Sequence, residues 1–135
     1  MVVSEPSALV DFPADAALAA AREEADAAVG LCVEYTPEEF RTLYADEQTV
    51  ALYGGDREAM ADHFEEVHSF VHVDFTERDL FADIFRSAGE VRSFVTVMDH
   101  VALIRVLVGQ QGLFLAVDPD ADVTALVEAV EAEVR

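Results

Sequence analysis

Three apolar stretches near the end of the chain leave it few ways to fold. Val91 to Met98, Val101 to Val108 and Leu113 to Val117 follow one another with short gaps. The middle stretch is apolar apart from Arg105, and an unbroken apolar run belongs to a strand covered on both faces. Asp99-His100 marks a tight turn, and Gly109-Gln110-Gln111-Gly112 a hairpin loop. The pattern predicts an antiparallel meander that needs helices on each side. Arg105 then needs an acidic partner on a neighbouring strand, or a face open to a partner, because a charge buried alone is costly.

The first half supplies the cover. The Ala-rich stretch 14–28 reads as a helix, with Pro13 before it, Asp15 able to cap it and Gly30 ending it. Leu18, Arg22, Ala25 and Val29 form its thin stripe. Leu31 to Tyr35 and Phe40 to Ala45 read as a hairpin across Thr36-Pro37-Glu38-Glu39. The same turn fits a capping box opening a helix over 37–53. The hairpin is preferred because Phe40, Thr42 and Tyr44 alternate and favour strands. Residues 47–53 read as a short helical turn closed by Gly54-Gly55, and Asp56 caps the next helix, with Met60, Phe64, Val67 and Val71 facing a core. Val71, Val73 and Phe75 then alternate, which predicts an extended stretch. Thr76 to Asp79 restarts a helix, with Leu80, Phe81, Ile84 and Phe85 inward and Gly89 at its end. A final helix after Asp122 turns Val123, Leu126, Val127, Val130 and Val134 inward. The expected fold class is α+β: one layered domain over 1–135, with 1–13 a lead-in. Its order is α-β-β-α-β-β-β-α, with a five-stranded antiparallel sheet and helices on both faces.

Charge narrows the function. The 135 residues hold 28 Asp and Glu against 8 basic residues, all Arg, for a formal net charge of −20. The absence of Lys excludes a P-loop lysine, a Schiff-base lysine and a Ser-Lys hydrolase. No basic footprint exists for nucleic acid or an anionic membrane. The acids are spread over every segment, so the surface repels itself unless salt screens it; at 1 M the Debye length is about 3 Å, against about 8 Å at ordinary ionic strength. That points to a halophilic cytosol. Met1 to Glu5 lacks a basic n-region and a long apolar h-region, and no apolar stretch approaches the ~18 residues of a membrane span. A cytoplasmic location is expected. The one cysteine, Cys32, lies in the apolar run Leu31-Cys32-Val33 beside Glu34, where a buried, inert thiol is expected.

The element order over roughly residues 15 to 134 resembles that of roadblock/LC7 domains, and more loosely the profilin-like class. That resemblance implies pairing and service in regulatory complexes, with no catalytic role. The segment from His72 to Phe81, with Gly112-Leu113-Phe114 and Val117-Asp118-Pro119, is similar to small uncharacterised haloarchaeal proteins, which implies a habitat and no activity.

Candidate chemistry is sparse. His63, His68 and His72 lie close in sequence to Asp74, and two His with a carboxylate can ligate zinc or iron. His68, His72 and Asp74 are the metal candidates, although the spacing is not that of a metalloprotease; boundary histidines covering core edges are the simpler reading. Asp118, Asp120 and Asp122 imitate the start of a calcium loop, but Val123 and Ala129 stand where Gly and Glu are required. Asp122 is better read as a helix cap. Gly54-Gly55 lacks the setting of a phosphate loop, and no Ser sits in a nucleophile elbow. The expectation is a non-enzymatic interaction or regulatory module without cofactor, homodimeric, with a further unknown protein partner. The alternatives are a small-molecule sensor with a pocket lined by Phe70, Phe75, Phe81 and Phe94, and a metal-dependent enzyme using the His63/His68/His72 region.

Overall fold

A computed structural model describes residues 2–135. Strand β1 (Val3–Ser4) precedes helix α1 (Ala14–Ala25) and the hairpin β2 (Val29–Tyr35) and β3 (Phe40–Ala45). Helices α2 (Glu47–Ala51), α3 (Arg57–His68) and α4 (His72–Ile84) follow. The meander β4 (Ser93–Val97), β5 (Ala102–Val108) and β6 (Gln111–Val117) leads to α5 (Val123–Val134). The strands form one antiparallel sheet in the order β1-β3-β2-β6-β5-β4.

This corrects the expected five-stranded sheet and its α-β-β-α-β-β-β-α order. Among the described residues the sheet has six strands, because the lead-in contributes β1, pairing Val3 with Ala45 and Ser4 with Tyr44. Two residues carry no readable period. The central helical region is three helices, and the extended stretch expected around Val71 to Phe75 is the start of α4. Val71 and Phe75 stand four apart and pack in one cluster with Tyr35 and Leu107. Over five residues, that helical spacing cannot be told from alternation. The hairpin forms, with Tyr35 opposite Phe40 and Leu31 opposite Ala45. Thr36 Oγ1 accepts from the amides of Glu38 and Glu39 and tightens its turn. Gly30 does not end α1: it lies within β2, where a Cβ would come 3.2 Å from Thr49 Oγ1.

One face of the sheet is closely packed. Cys32, Leu43, Ile104, Val106 and Leu115 meet α1 and α5 there. The fully buried residues of α1 are Ala14, Ala17 and Ala21, and Leu18 and Ala25 of the expected stripe pack beside them, partly buried. Alanines let α1 lie close against Leu126 and Val130 of α5. Asp122 caps α5 by accepting from Ala125 N, as its place in the sequence suggests. The lead-in closes this face through Glu34. That carboxylate has no exposed surface, and it accepts from Ser7 Oγ at 2.7 Å and from the amides of Ala8, Leu9 and Val10. Asp15, expected as a cap, instead accepts from the amide of Ser7.

The other face is covered by α2, α3 and α4, and covered less closely. Only Met60 of α3, and Asp74 and Phe75 of α4, are buried. Leu80, Phe81, Ile84 and Phe85, expected inward, are 40–57% exposed. Helical spacing shows that apolar residues share a side, but not that anything lies beneath them. Among the described residues, no helix is long and apolar enough to cross a membrane.

Candidate functional site

The loose face leaves a cavity of about 500 Å³, partly open to solvent, between the sheet and α3–α4. Its floor is the alternate side chains of β2, β5 and β6 that point away from α1 and α5, among them Val33, Leu103, Phe114 and Ala116. Its roof includes Phe64, Val67 and Val71. These are the residues of the stripe read from the sequence as core-facing. Phe64 and Val71 also pack against core clusters, as expected, while Val67 stays exposed.

Polar groups line this apolar space in two places: Tyr53, His63 and His68 in one, and a cluster around Arg105 in the other. Arg105 of β5 donates from Nη1 to Asp74 Oδ1 at 3.0 Å and from Nη2 to Thr96 Oγ1 at 2.8 Å. Its guanidinium also sits 5.6 Å above the ring of Phe94. Tyr35 Oη donates to Asp74 Oδ2 at 3.3 Å. Both carboxylate oxygens of Asp74 are thus engaged. Burial, helped by Glu77, raises the Asp74 carboxyl above its ordinary value, against the pull of Arg105 and the Tyr35 hydroxyl. Burial also raises the Tyr35 phenol, and the Asp74 charge adds to it. Among the described residues, nothing accepts from Arg105 Nε, although that atom is shielded from solvent.

Tyr35 reaches Asp74 because Gly112 gives it room. Gly112 pairs with both Tyr35 and Leu107 inside the sheet, and a Cβ there would lie 2.6 Å from Tyr35 Oη. Gly112 therefore belongs to β6, where it clears a path for an aromatic ring. Reading it as part of the hairpin loop hid that role. Arg105 was legible as the lone charge of its strand, but its acidic partner comes from a helix and not from a neighbouring strand.

The metal candidates go to separate partners. His68 Nε2 meets Thr36 O at 2.8 Å, and since a carbonyl only accepts, that nitrogen carries the proton. His72 Nδ1 faces Ser69 O, and Asp74 holds Arg105 and Tyr35. Helix α3 stops at His68 and α4 starts at His72, so the two histidines do not share one helix face. His63 Nδ1 bonds Tyr53 Oη. Among the described residues, no group of three or more His, Cys, Asp or Glu is placed to hold a metal ion. Of the four aromatics expected to line a pocket, Phe70 lines this cavity. Phe75 packs edge-on to Tyr35, while Phe81 and Phe94 border a separate hollow near the end of α4. Cys32 is buried, and burial beside Glu34 raises its thiol further from reactivity.

Two solved structures share this architecture. A Roadblock/LC7 domain from Streptomyces avermitilis is 16% identical, with 78% of this chain and 82% of that chain covered and a TM-score of 0.50. The gliding protein mglB of Thermus thermophilus is 12% identical, with 96% and 91% covered and a TM-score of 0.50. At such identities the likeness is one of fold. No curated protein matches the sequence. The model of one family, described as a domain of unknown function (DUF7522), matches residues 15–135, and the chain belongs to that family.

Proposed function

We propose that the chain is a non-enzymatic interaction module, a scaffold or regulatory subunit of a salt-rich cytoplasm, and that it pairs first with a second copy of itself. The observation that carries this reading is the β4 edge. Ser93–Val97 reads Ser-Phe-Val-Thr-Val, with no charge, proline or glycine, and it lies at the end of the sheet with one side unpaired. Sheet edges are normally blunted by charge, proline or brevity, because a bare edge is a template for another strand. The opposite edge is blunted by brevity, since β1 has two residues.

Apolar side chains flank the bare edge on both faces. Val95 and Val97 stand opposite Ile104 and Ala102, on the α1–α5 side, and remain 44% and 66% exposed. On the other side, Leu80, Ile84 and Phe85 of the α4 region are also uncovered. Phe81 links the two regions, with its ring 6.4 Å from that of Phe94. A second copy related by a two-fold axis would pair β4 with β4 and cover both sets. The fold shared with Roadblock/LC7 domains supports the reading without naming a partner.

Sedimentation equilibrium in about 2 M KCl, where charge is screened over a few Å, tests it. The expected mass is twice the 14.7 kDa of one chain. A single-chain mass at tens of micromolar would remove the proposal.

A further inference from the structure

We propose that the cavity between the sheet and α3–α4 is a binding site for one uncharged, largely apolar organic molecule that carries an oxygen acceptor. Its volume, about 500 Å³, lies in the range of ~300–1,000 Å³ typical of small-molecule sites. The walls contributed by Val33, Leu103, Phe114 and Ala116 are apolar. Water fills a space well only where it finds two to four polar partners, and most of this lining offers none.

The polar cluster selects the class of molecule. Arg105 has five N–H donors. One goes to Asp74 and one to Thr96; Nε is shielded from solvent, so what Arg105 offers the cavity it lines is the remaining N–H groups of Nη1 and Nη2. A carbonyl or hydroxyl oxygen of the bound molecule supplies an acceptor there. The molecule is uncharged because the site already is balanced: Asp74 answers Arg105 at 3.0 Å. An anion would meet Asp74 as well, within a chain of net charge −20, and a cation would meet Arg105. The arrangement is an apolar pocket with a few convergent polar groups, as expected of a site that orients a ligand. It is independent of self-association, which uses the β4 edge and the outer residues of α4.

The probe is prodan, an uncharged naphthyl ketone whose emission moves to the blue in apolar surroundings, titrated into the full chain in about 2 M KCl. Saturable binding at one molecule per chain is expected. Ala116→Phe and Leu103→Trp fill the cavity from two different strands, and each should abolish the blue-shifted signal. Circular dichroism of each variant checks that it is folded. The double variant Asp74→Leu/Arg105→Met keeps the apolar walls and should weaken binding at least tenfold. Ile84→Asp, on the exposed side of α4, should leave binding unchanged. In the wild-type chain, amide shifts on adding prodan should centre on Val33, Leu103 and Phe114. Loss of binding in Ile84→Asp with retention in both filled variants would overturn the proposal. So would shifts centred on Leu80 to Phe85, or no saturable binding. None of these outcomes bears on the sedimentation mass.

Discussion

Glu34 is a carboxylate with no exposed surface and bonds to Ser7 Oγ and three successive backbone amides. Glu34→Ala leaves those amides without their acceptor, which should cost about 2–4 kcal/mol in urea unfolding. Exchange at Ala8, Leu9 and Val10 should speed up; unchanged exchange there would show that the lead-in is held by other contacts. In sequence, Glu34 is one acid among 28, and nothing local marks it as the one that is buried. Asp74 was visible as an acid near histidines, and its real partner, Arg105, was visible as a misplaced charge. What linked them was the packing of α4 over β5, which a sequence does not display. Asp74→Leu should cost about 3 kcal/mol by leaving Arg105 unpaired, and adding Arg105→Met should recover most of it. Because the folded Asp74 carboxyl is raised above its ordinary value of 3.8, the folded state holds the proton to higher pH than the unfolded one. Its stabilising contribution is therefore full below that ordinary value and falls as pH rises through the raised one. A carbon-13 titration of the Asp74 carboxyl should show a midpoint above 3.8; a midpoint at or below that value would refute this.

At the scale of elements, the meander and the last helix were legible because their runs are long. Val101 to Val108 is apolar enough to demand two covering layers, and Asp122 announces α5. The helical layer over the second face was harder to read. Its residues have helical spacing, but α3 and α4 stand off the sheet and leave a cavity below and bare side chains beyond. Spacing alone cannot distinguish a helix packed on a core from one awaiting a partner. The Ala-rich stretch is the reverse case. Its stripe does meet the core through Leu18 and Ala25, but the closest contact is made by Ala14, Ala17 and Ala21, whose smallness brings α1 against α5. Gly112→Ala would force the Tyr35 ring aside. It should cost about 1–3 kcal/mol, as overpacking does, and shift the Tyr35 and Asp74 resonances. Unchanged spectra would mean that the ring has room to spare.

At the scale of the molecule, the net charge of −20 works against both folding and pairing, while the apolar edge favours pairing. Salt separates the two, since it screens the first and leaves apolar association intact. Thermal unfolding should therefore move to higher temperature between about 0.1 M and about 3 M KCl; an unmoved midpoint would show that the acidity carries little cost. The most direct test of the bare β4 edge is a cysteine scan over residues 93–97, one substitution at a time. Cys32 is the chain's one cysteine and is buried, so each introduced thiol is the accessible one. Antiparallel strands hold opposed Cα atoms about 4.5–5.5 Å apart, inside the ~4.4–6.8 Å that a disulfide spans. In about 2 M KCl, mild oxidation should give covalent dimers peaking at a single position of β4 and falling away on either side. Cross-linking that is absent along the whole strand, or equal at every position, would contradict edge-to-edge pairing.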